Sequence, residues 1–306
     1  MSAQVRVFAP GSIGNVGPGF DILGLAVAGA GDTVLARKRS GSGVVISEPG
    51  HPSLPTDPER HTSGIAALEV LRRARAGFGL TLEVGKGLPL SGGQGGSAAS
   101  AVAGGLAANL LLEQPLPEQD LLEAALEAEA VVAGRHADNV VAILLGGLVL
   151  VRSLQPLEAI RLPVPAALRI VLAHPDRALA TRAGRAVLPD MIPREDAVFQ
   201  AAQVGALIAA AHSGDLALFG RAIQDRIAEP ARAPLLTGFS AAKAAALAAG
   251  ALGCSISGSG PTAFALVGDN ATGAAVAAAM QAAYQALGVE CSTRIAVPDL
   301  QGARRV

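Results

Sequence analysis

The 306-residue chain has no tryptophan, a single tyrosine (Tyr284) and seven phenylalanines. That leaves little aromatic surface on which nucleobases could stack. Charge is sparse too: 16% of the residues are Asp, Glu, Lys or Arg, and the formal net charge is −1. With no basic excess to attract a phosphate polymer or an anionic bilayer, neither nucleic acid nor a membrane surface is expected as a partner. Only two cysteines occur, Cys254 and Cys291. They cannot build a disulfide framework or a four-ligand zinc site, and both read as inert core residues. The longest apolar run, residues 140–151, is too short to cross a bilayer and is interrupted by Gly146-Gly147. The opening stretch, residues 1–6, carries no apolar signal region. A soluble cytoplasmic protein is the expectation.

What the chain does have is small apolar residues and glycine: 51% is hydrophobic, much of it alanine, with 37 glycines. Its length suits one large domain or two moderate ones. The glycines concentrate at Leu88-Pro89-Leu90-Ser91-Gly92-Gly93-Gln94-Gly95-Gly96-Ser97-Ala98-Ala99-Ser100, just ahead of an Ala- and Leu-rich run. Glycine permits positive φ and lets a ligand approach bare backbone. A helix beginning at Ser97 or Ala98 would aim unpaired amides back into that loop, which favours an anion, phosphate first. On composition alone, a plain turn before a buried helix reads the same way. A triphosphatase loop ending in Gly-Lys-Ser/Thr does not fit, because Gly96 precedes Ser97 with no lysine. The dinucleotide fingerprint fits poorly as well, since the expected strand over residues 80–84 stops too far ahead of Gly93.

Alternation over residues 4–9 predicts a strand. It runs into a turn cluster, residues 10–21, that sets Asn15 and Asp21 among glycines. Further strands are predicted over 22–28, 32–37, 44–47 and 80–84, with an amphipathic helix over 62–76. A helix over 117–132 carries Glu129 near its end, seven residues before His136-Ala137-Asp138-Asn139. Either that Glu is simply solvated or both are drawn to one cleft. Prolines at 156, 163 and 165 mark the boundary between a first domain, residues 1–160, and a second, residues 161–306. Beyond it, strands are predicted over 169–173, 254–266 (broken by a Gly-rich turn) and 290–297. Helices are predicted over 181–188, 195–212, 216–224, 241–249 and 272–287, with a loop at 230–236 that holds Arg232. Mixed strands and helices make this half α+β.

Three segments resemble the motifs of one family. Pro10 with Asn15-Val16-Gly17-Pro18-Gly19-Phe20-Asp21-Ile22-Leu23-Gly24-Leu25-Ala26 is similar to the opening motif of the homoserine kinases, members of the GHMP small-molecule kinase superfamily. Pro89 with Gly93 through Ser100 resembles the superfamily's phosphate loop, and Ser257-Gly258-Ser259-Gly260-Pro261-Thr262 its third, glycine-rich motif. Gly134 with His136-Ala137-Asp138-Asn139-Val140, Thr181 with Arg185-Ala186-Val187-Leu188-Pro189, and Asp225-Arg226-Ile227-Ala228-Glu229-Pro230 with Arg232 narrow the match to homoserine kinases.

The resemblance implies an α+β, two-domain GHMP kinase fold with an S5-like N-terminal domain, a ferredoxin-like C-terminal domain and the active site between them. It implies ATP-dependent phosphorylation of the L-homoserine hydroxyl, on the route to threonine. The ATP phosphates would rest on the loop from Pro89 to Ser100, with His61 near the adenine. Ser97 and Glu129 would be oxygen ligands to Mg²⁺. Arg185 and Arg232 would clamp the homoserine carboxylate. Asp21 would take its ammonium, with Asn15, His136, Asn139 and Thr181 around it. No general base is assigned, and a homodimer is carried over from the superfamily alone. The sequence departs from the pattern in the loop, which usually reads Gly-Leu-Gly-Ser-Ser but here is Gly93-Gln94-Gly95-Gly96-Ser97. His61 and Gln200 also stand where relatives often carry Asn. Two other readings stay open: a kinase of a sugar or mevalonate-like alcohol, and a non-catalytic nucleotide- or amino-acid-binding protein on the same scaffold.

Overall fold

The computed structural model describes residues 3–132 and 134–306. Met1 and Ser2 of the opening stretch lie outside them, as does Ala133. The alternation at the N-terminus forms β1 (Gln4–Gly14), which outruns the alternating part because its ladder continues past Pro10. Its partner β2 (Leu23–Arg39) is one strand where two are expected. Residues 28–30 loop out between the Pro10–Gly31 and Gly11–Val27 pairs, and pairing resumes on either side. β3 (Val44–Glu48), α1 (Thr62–Arg73) and β4 (Gly79–Gly85) follow. β3 pairs with β4 in parallel, and the helix supplies the crossover that a parallel pair needs. The glycine loop then leads into α2 (Gly96–Leu110), α3 (Glu118–Val132), α4 (Asp138–Leu145), β5 (Leu148–Leu154) and β6 (Leu157–Leu162). The apolar run 140–151 is therefore a helix end and a strand start, divided at Gly146-Gly147.

The second half contains β7 (Arg169–Pro175), α5 (Thr181–Ala186), α6 (Arg194–Ser213), α7 (Leu216–Arg221), α8 (Ala228–Arg232), α9 (Phe239–Ala248), β8 (Gly253–Ile256), β9 (Ala263–Val267), α10 (Asn270–Gln285) and β10 (Cys291–Ala296). The loop expected over 230–236 is instead α8 followed by a 3-10 turn, Ala233–Leu235. The Asp225 carboxylate explains the difference. It accepts from the amides of Ile227, Ala228 and Glu229 at 2.7–3.0 Å, holding the orphan donors of a helix start. Pro230 falls in the first turn, where a missing N–H costs nothing. The chain ends in β11 (Arg304–Arg305), which pairs with β1, so the last residues return to the first sheet.

Two sheets result. The larger has seven strands in the order β11-β1-β2-β4-β3, with β5 on the first part of β2 and β6 on β5. Helices α1 to α4 pack on it around Val34, Leu80, Leu82, Val102, Leu126 and Ile143. The smaller sheet is antiparallel, in the order β10-β7-β9-β8. Numbered within the domain that is 4-1-3-2, the ferredoxin-like arrangement. Helices α9 and α10 cover one of its faces through Phe239, Val276 and Met280. From the other side, Leu172, Phe264 and Leu266 meet Ile13, Leu23, Leu25 and Leu148 of the first sheet in a shared apolar cluster. Cys254 and Cys291 are buried and free. No helix among the described residues is long and apolar enough to cross a membrane.

Candidate active site

A cleft of about 470 Å³ lies where the two halves meet, and the glycine loop forms its floor. The loop closes on Gly95, which caps α2 at φ 69° with no side-chain hydrogen bond to the helix amides. A Cβ there would run into the Ser12 hydroxyl and lie 3.1 Å from Asn139 Oδ1. Gly93, at φ 76°, approaches the third glycine motif so closely that a Cβ would lie 2.6 Å from the Ser257 carbonyl oxygen. The first amides of α2 are thus left facing the cleft, with the positive end of the helix behind them. Lys86 adds charge beneath: it donates to the Gly96 carbonyl at 2.9 Å and to Ser100 Oγ at 3.0 Å, and it pairs with the fully buried Asp32.

Two carboxylates stand beside the loop. Glu129, near the end of α3, is 6% exposed, and its Oε1 is buried with no hydrogen-bond partner. Burial pushes its carboxyl up to about 7; a hydrogen bond from Ser97 opposes that shift and the charge of Asp138 adds to it. Asp138 opens α4 and is pushed up to about 6, first by burial and then by Asp21, against the amides of Asn139 and Asn15. The Asn15 amide lies 3.0 Å from Asp138 Oδ2.

Across the cleft, Arg185 of α5 and Arg232 of α8 share one aromatic ring. Their guanidinium carbons lie 5.3 and 5.2 Å from the centre of Phe20, within cation–π range. Arg232 is 2% exposed and donates to the carbonyls of Gly184 and Gly258, both at 2.9 Å. Arg185 Nη2 donates to Asp21 Oδ1 at 2.5 Å, while its Nε is buried and unpartnered. His136 Nδ1 sits 3.7 Å from Asp21 Oδ2. Asn15 accepts from the Asp21 amide at 3.0 Å and donates to the Gly258 carbonyl at 3.1 Å, holding the opening motif against the third one. Thr181 begins α5 and faces the same space.

All the site residues expected from the sequence line this cleft except Gln94, Ala98 and Ala99. The two alanine methyls are fully buried in the core beneath α2. Gln94 is 6% exposed and turns away, toward Thr262 and Arg294. Those three positions serve the loop's own packing: the Gln94 carbonyl accepts from the Ser12 amide and the Ala99 amide donates to the Gly95 carbonyl. His61 does reach the cleft, but both ring nitrogens are spent on protein: Nδ1 caps α1 through the Ser63 amide and Nε2 lies 3.1 Å from the Pro49 carbonyl. It presents ring carbon to a ligand. Gln200 donates to the Pro18 carbonyl and to Asp225, tying α6 to the opening loop and to the start of α8.

Sequence reasoning passed over Asp138, Phe20 and Lys86. Asp138 lies between His136 and Asn139 in one motif, and Phe20 directly precedes Asp21, so spacing alone could have found both. Lys86 gives only a weak signal, one cation between two glycines.

The GHMP kinases N terminal domain model matches residues 63–147, and the GHMP kinases C terminal model matches residues 207–286. A homoserine kinase of Chlorobium phaeovibrioides is 45% identical over 296 residues, 92% of either chain. One of Xylella fastidiosa is 44% identical over 308 residues, covering 98% of this chain and 94% of that one. Among solved structures, a homoserine kinase from Cytophaga hutchinsonii superimposes with a TM-score of 0.95 at 42% identity, over 100% of this chain and 98% of that one. With the α+β fold, the glycine loop and the paired arginines in place, the chain belongs to the homoserine kinase family of the GHMP kinases.

Proposed function

We propose that the protein transfers the γ-phosphoryl group of ATP to the hydroxyl of L-homoserine, releasing ADP and O-phospho-L-homoserine. Phosphoryl transfer asks a protein mainly for positioning and charge stabilisation. The amides at the start of α2 would hold the ATP phosphates over Lys86. Glu129 and Ser97 are the hard oxygen donors that would hold Mg²⁺, and an unpartnered buried carboxylate oxygen fits a hard cation. Once bound, that ion would neutralise phosphate charge beside the helix start. The substrate is a zwitterion, and the Asp21–Arg185 pair is its complement. The ammonium would take Asp21, and the carboxylate would take the guanidinium groups of Arg185 and Arg232, already aimed by Phe20. Asn15, His136, Asn139 and Thr181 would close around the rest.

One observation carries the reading: two side chains that line the same cleft, Glu129 and Arg185, each keep a buried polar atom unpartnered, Oε1 and Nε, with opposite chemistry. Buried polar atoms are almost always paired, so such a set marks where a ligand completes the network. A neutral sugar would leave the Asp21–Arg185 pair without a counterpart. The test is ADP release with Mg²⁺–ATP in the presence and absence of L-homoserine. Homoserine-dependent release is expected; release that is independent of homoserine, or no release at all, overturns the reading.

A further inference from the structure

The departure at Gln94 has a partner on the other domain. Gln94 Oε1 accepts from Arg294 Nη2 at 3.2 Å, and Gln94 Nε2 donates to Thr262 Oγ1 at 3.3 Å. Only one amide orientation serves both neighbours, because a guanidinium can donate but not accept. Thr262 is fully buried, and its hydroxyl donates to the Gly92 carbonyl at 2.5 Å. That leaves its lone pairs for Gln94 Nε2 and for His174 Nδ1, which lies 2.9 Å away. Arg294 stands on β10 and also donates to the Ala28 carbonyl of β2 at 3.0 Å, so its guanidinium spans the two sheets. Ser257 Oγ donates to the Gly93 carbonyl at 2.6 Å beside it.

We propose that Gln94 and Arg294 are positioning residues for the phosphate loop: the guanidinium orients the Gln94 amide, the amide orients the Thr262 hydroxyl, and that hydroxyl fixes the Gly92 carbonyl. The usual apolar side chain at position 94 can neither accept from Arg294 nor donate to Thr262. In this chain the loop is braced from the ferredoxin-like domain by a polar bridge, and the nucleotide side of the cleft feels it. The inference rests on assigning the loop to the ATP phosphates.

The test compares Gln94→Leu, Gln94→Glu, Arg294→Met and the Gln94→Leu/Arg294→Met double variant of the full chain. Gln94→Leu loses the links to Arg294 and to Thr262, and Arg294→Met loses the charged link to Gln94. Each single variant is expected to raise KM for ATP at least about 5-fold while KM for L-homoserine stays within about 2-fold. Gln94→Glu is the discriminating change, since a carboxylate still accepts from Arg294 but cannot donate to Thr262. The double variant is expected to fall well short of the product of the singles, because both singles already lose the bond between Gln94 and Arg294. A wild-type KM for ATP in Gln94→Glu overturns the proposal. So does a double variant whose effect is the product of the singles, or an equal rise in both KM values. If Arg294→Met does not fold, the two Gln94 variants decide alone. ADP affinity by titration calorimetry reads the same change without turnover. A wild-type protein that binds ADP but ignores homoserine would sink the functional reading and leave the bridge testable.

Discussion

Arg185 and Arg232 flank the same phenyl ring but differ in what holds them. Arg232 is built in, with two carbonyls to satisfy, whereas Arg185 is held by Asp21 and keeps a buried Nε free. Arg185→Ala is therefore expected to raise KM for L-homoserine about 10–100-fold, the worth of a charged hydrogen bond, with little change in KM for ATP. Steady-state kinetics with each substrate varied in turn checks this, and equal effects would remove Arg185 from the amino-acid side. Arg232→Ala should add a loss of about 1–3 kcal/mol in stability, because the Gly184 carbonyl loses its side-chain donor while the Gly258 carbonyl keeps only Asn15. Asp138 gives a pH prediction. Its folded-state carboxyl sits at about 6 against an ordinary 3.8, so between those values the folded protein holds a proton that the unfolded chain has released. Its stabilisation is complete in acid and is lost as the pH rises through 6. Going from about pH 4 to about pH 8, Asp138→Asn should gain on the wild type by up to about 3 kcal/mol in urea unfolding. A gap that does not change with pH would contradict it. Placement at this scale was partly legible in the sequence. Resemblance singled out Arg185 and Arg232 and spacing singled out Glu129, and all three line one cleft. But nothing in the letters says that Gln94 points away from it, because side-chain direction depends on what the other domain brings to meet it.

Two short elements set the geometry on which those side chains depend. At the start of α2, Gly95 occupies the left-handed region in the space beside Ser12 and Asn139. Gly95→Ala adds about 1–2 kcal/mol of backbone strain and a clash on top. A lower melting temperature and a weaker nucleotide affinity are the expected result, and an unchanged KM for ATP would contradict the loop's role. At the other wall, α8 exists because one carboxylate, Asp225, caps it and also receives Gln200. Asp225→Ala should cost about 1–3 kcal/mol and raise KM for L-homoserine, since α8 carries Arg232. That a glycine turn precedes a helix could be read from the sequence, since glycines give way to an alanine-rich run there, although composition alone did not separate an anion site from a plain turn. The α8 helix could not, because Pro230 and the short span suggest a loop until the cap from a residue before the helix is seen.

At the scale of the molecule, the halves are not beads on a string. Residues from β1, β2 and β5 share one apolar cluster with β7, β9, α6 and α7, and the C-terminal β11 pairs with β1. The α+β class and the two-sheet division follow from sequence pattern and resemblance. The return of the last residues to the first sheet does not, since a two-residue strand carries no periodicity. Such a joint ties the glycine loop to the wall that carries the arginines, as the proposed positioning catalysis would require. On the proposed function, this cleft recognises a zwitterionic alcohol next to a triphosphate. The most direct test is the ratio of kcat/KM for L-homoserine to that for 4-hydroxybutanoate, which keeps the hydroxyl and carboxylate but lacks the ammonium that Asp21 would hold. Removing one charged hydrogen-bond partner predicts a ratio of at least about 10–100 in favour of homoserine; a ratio near one would contradict the account.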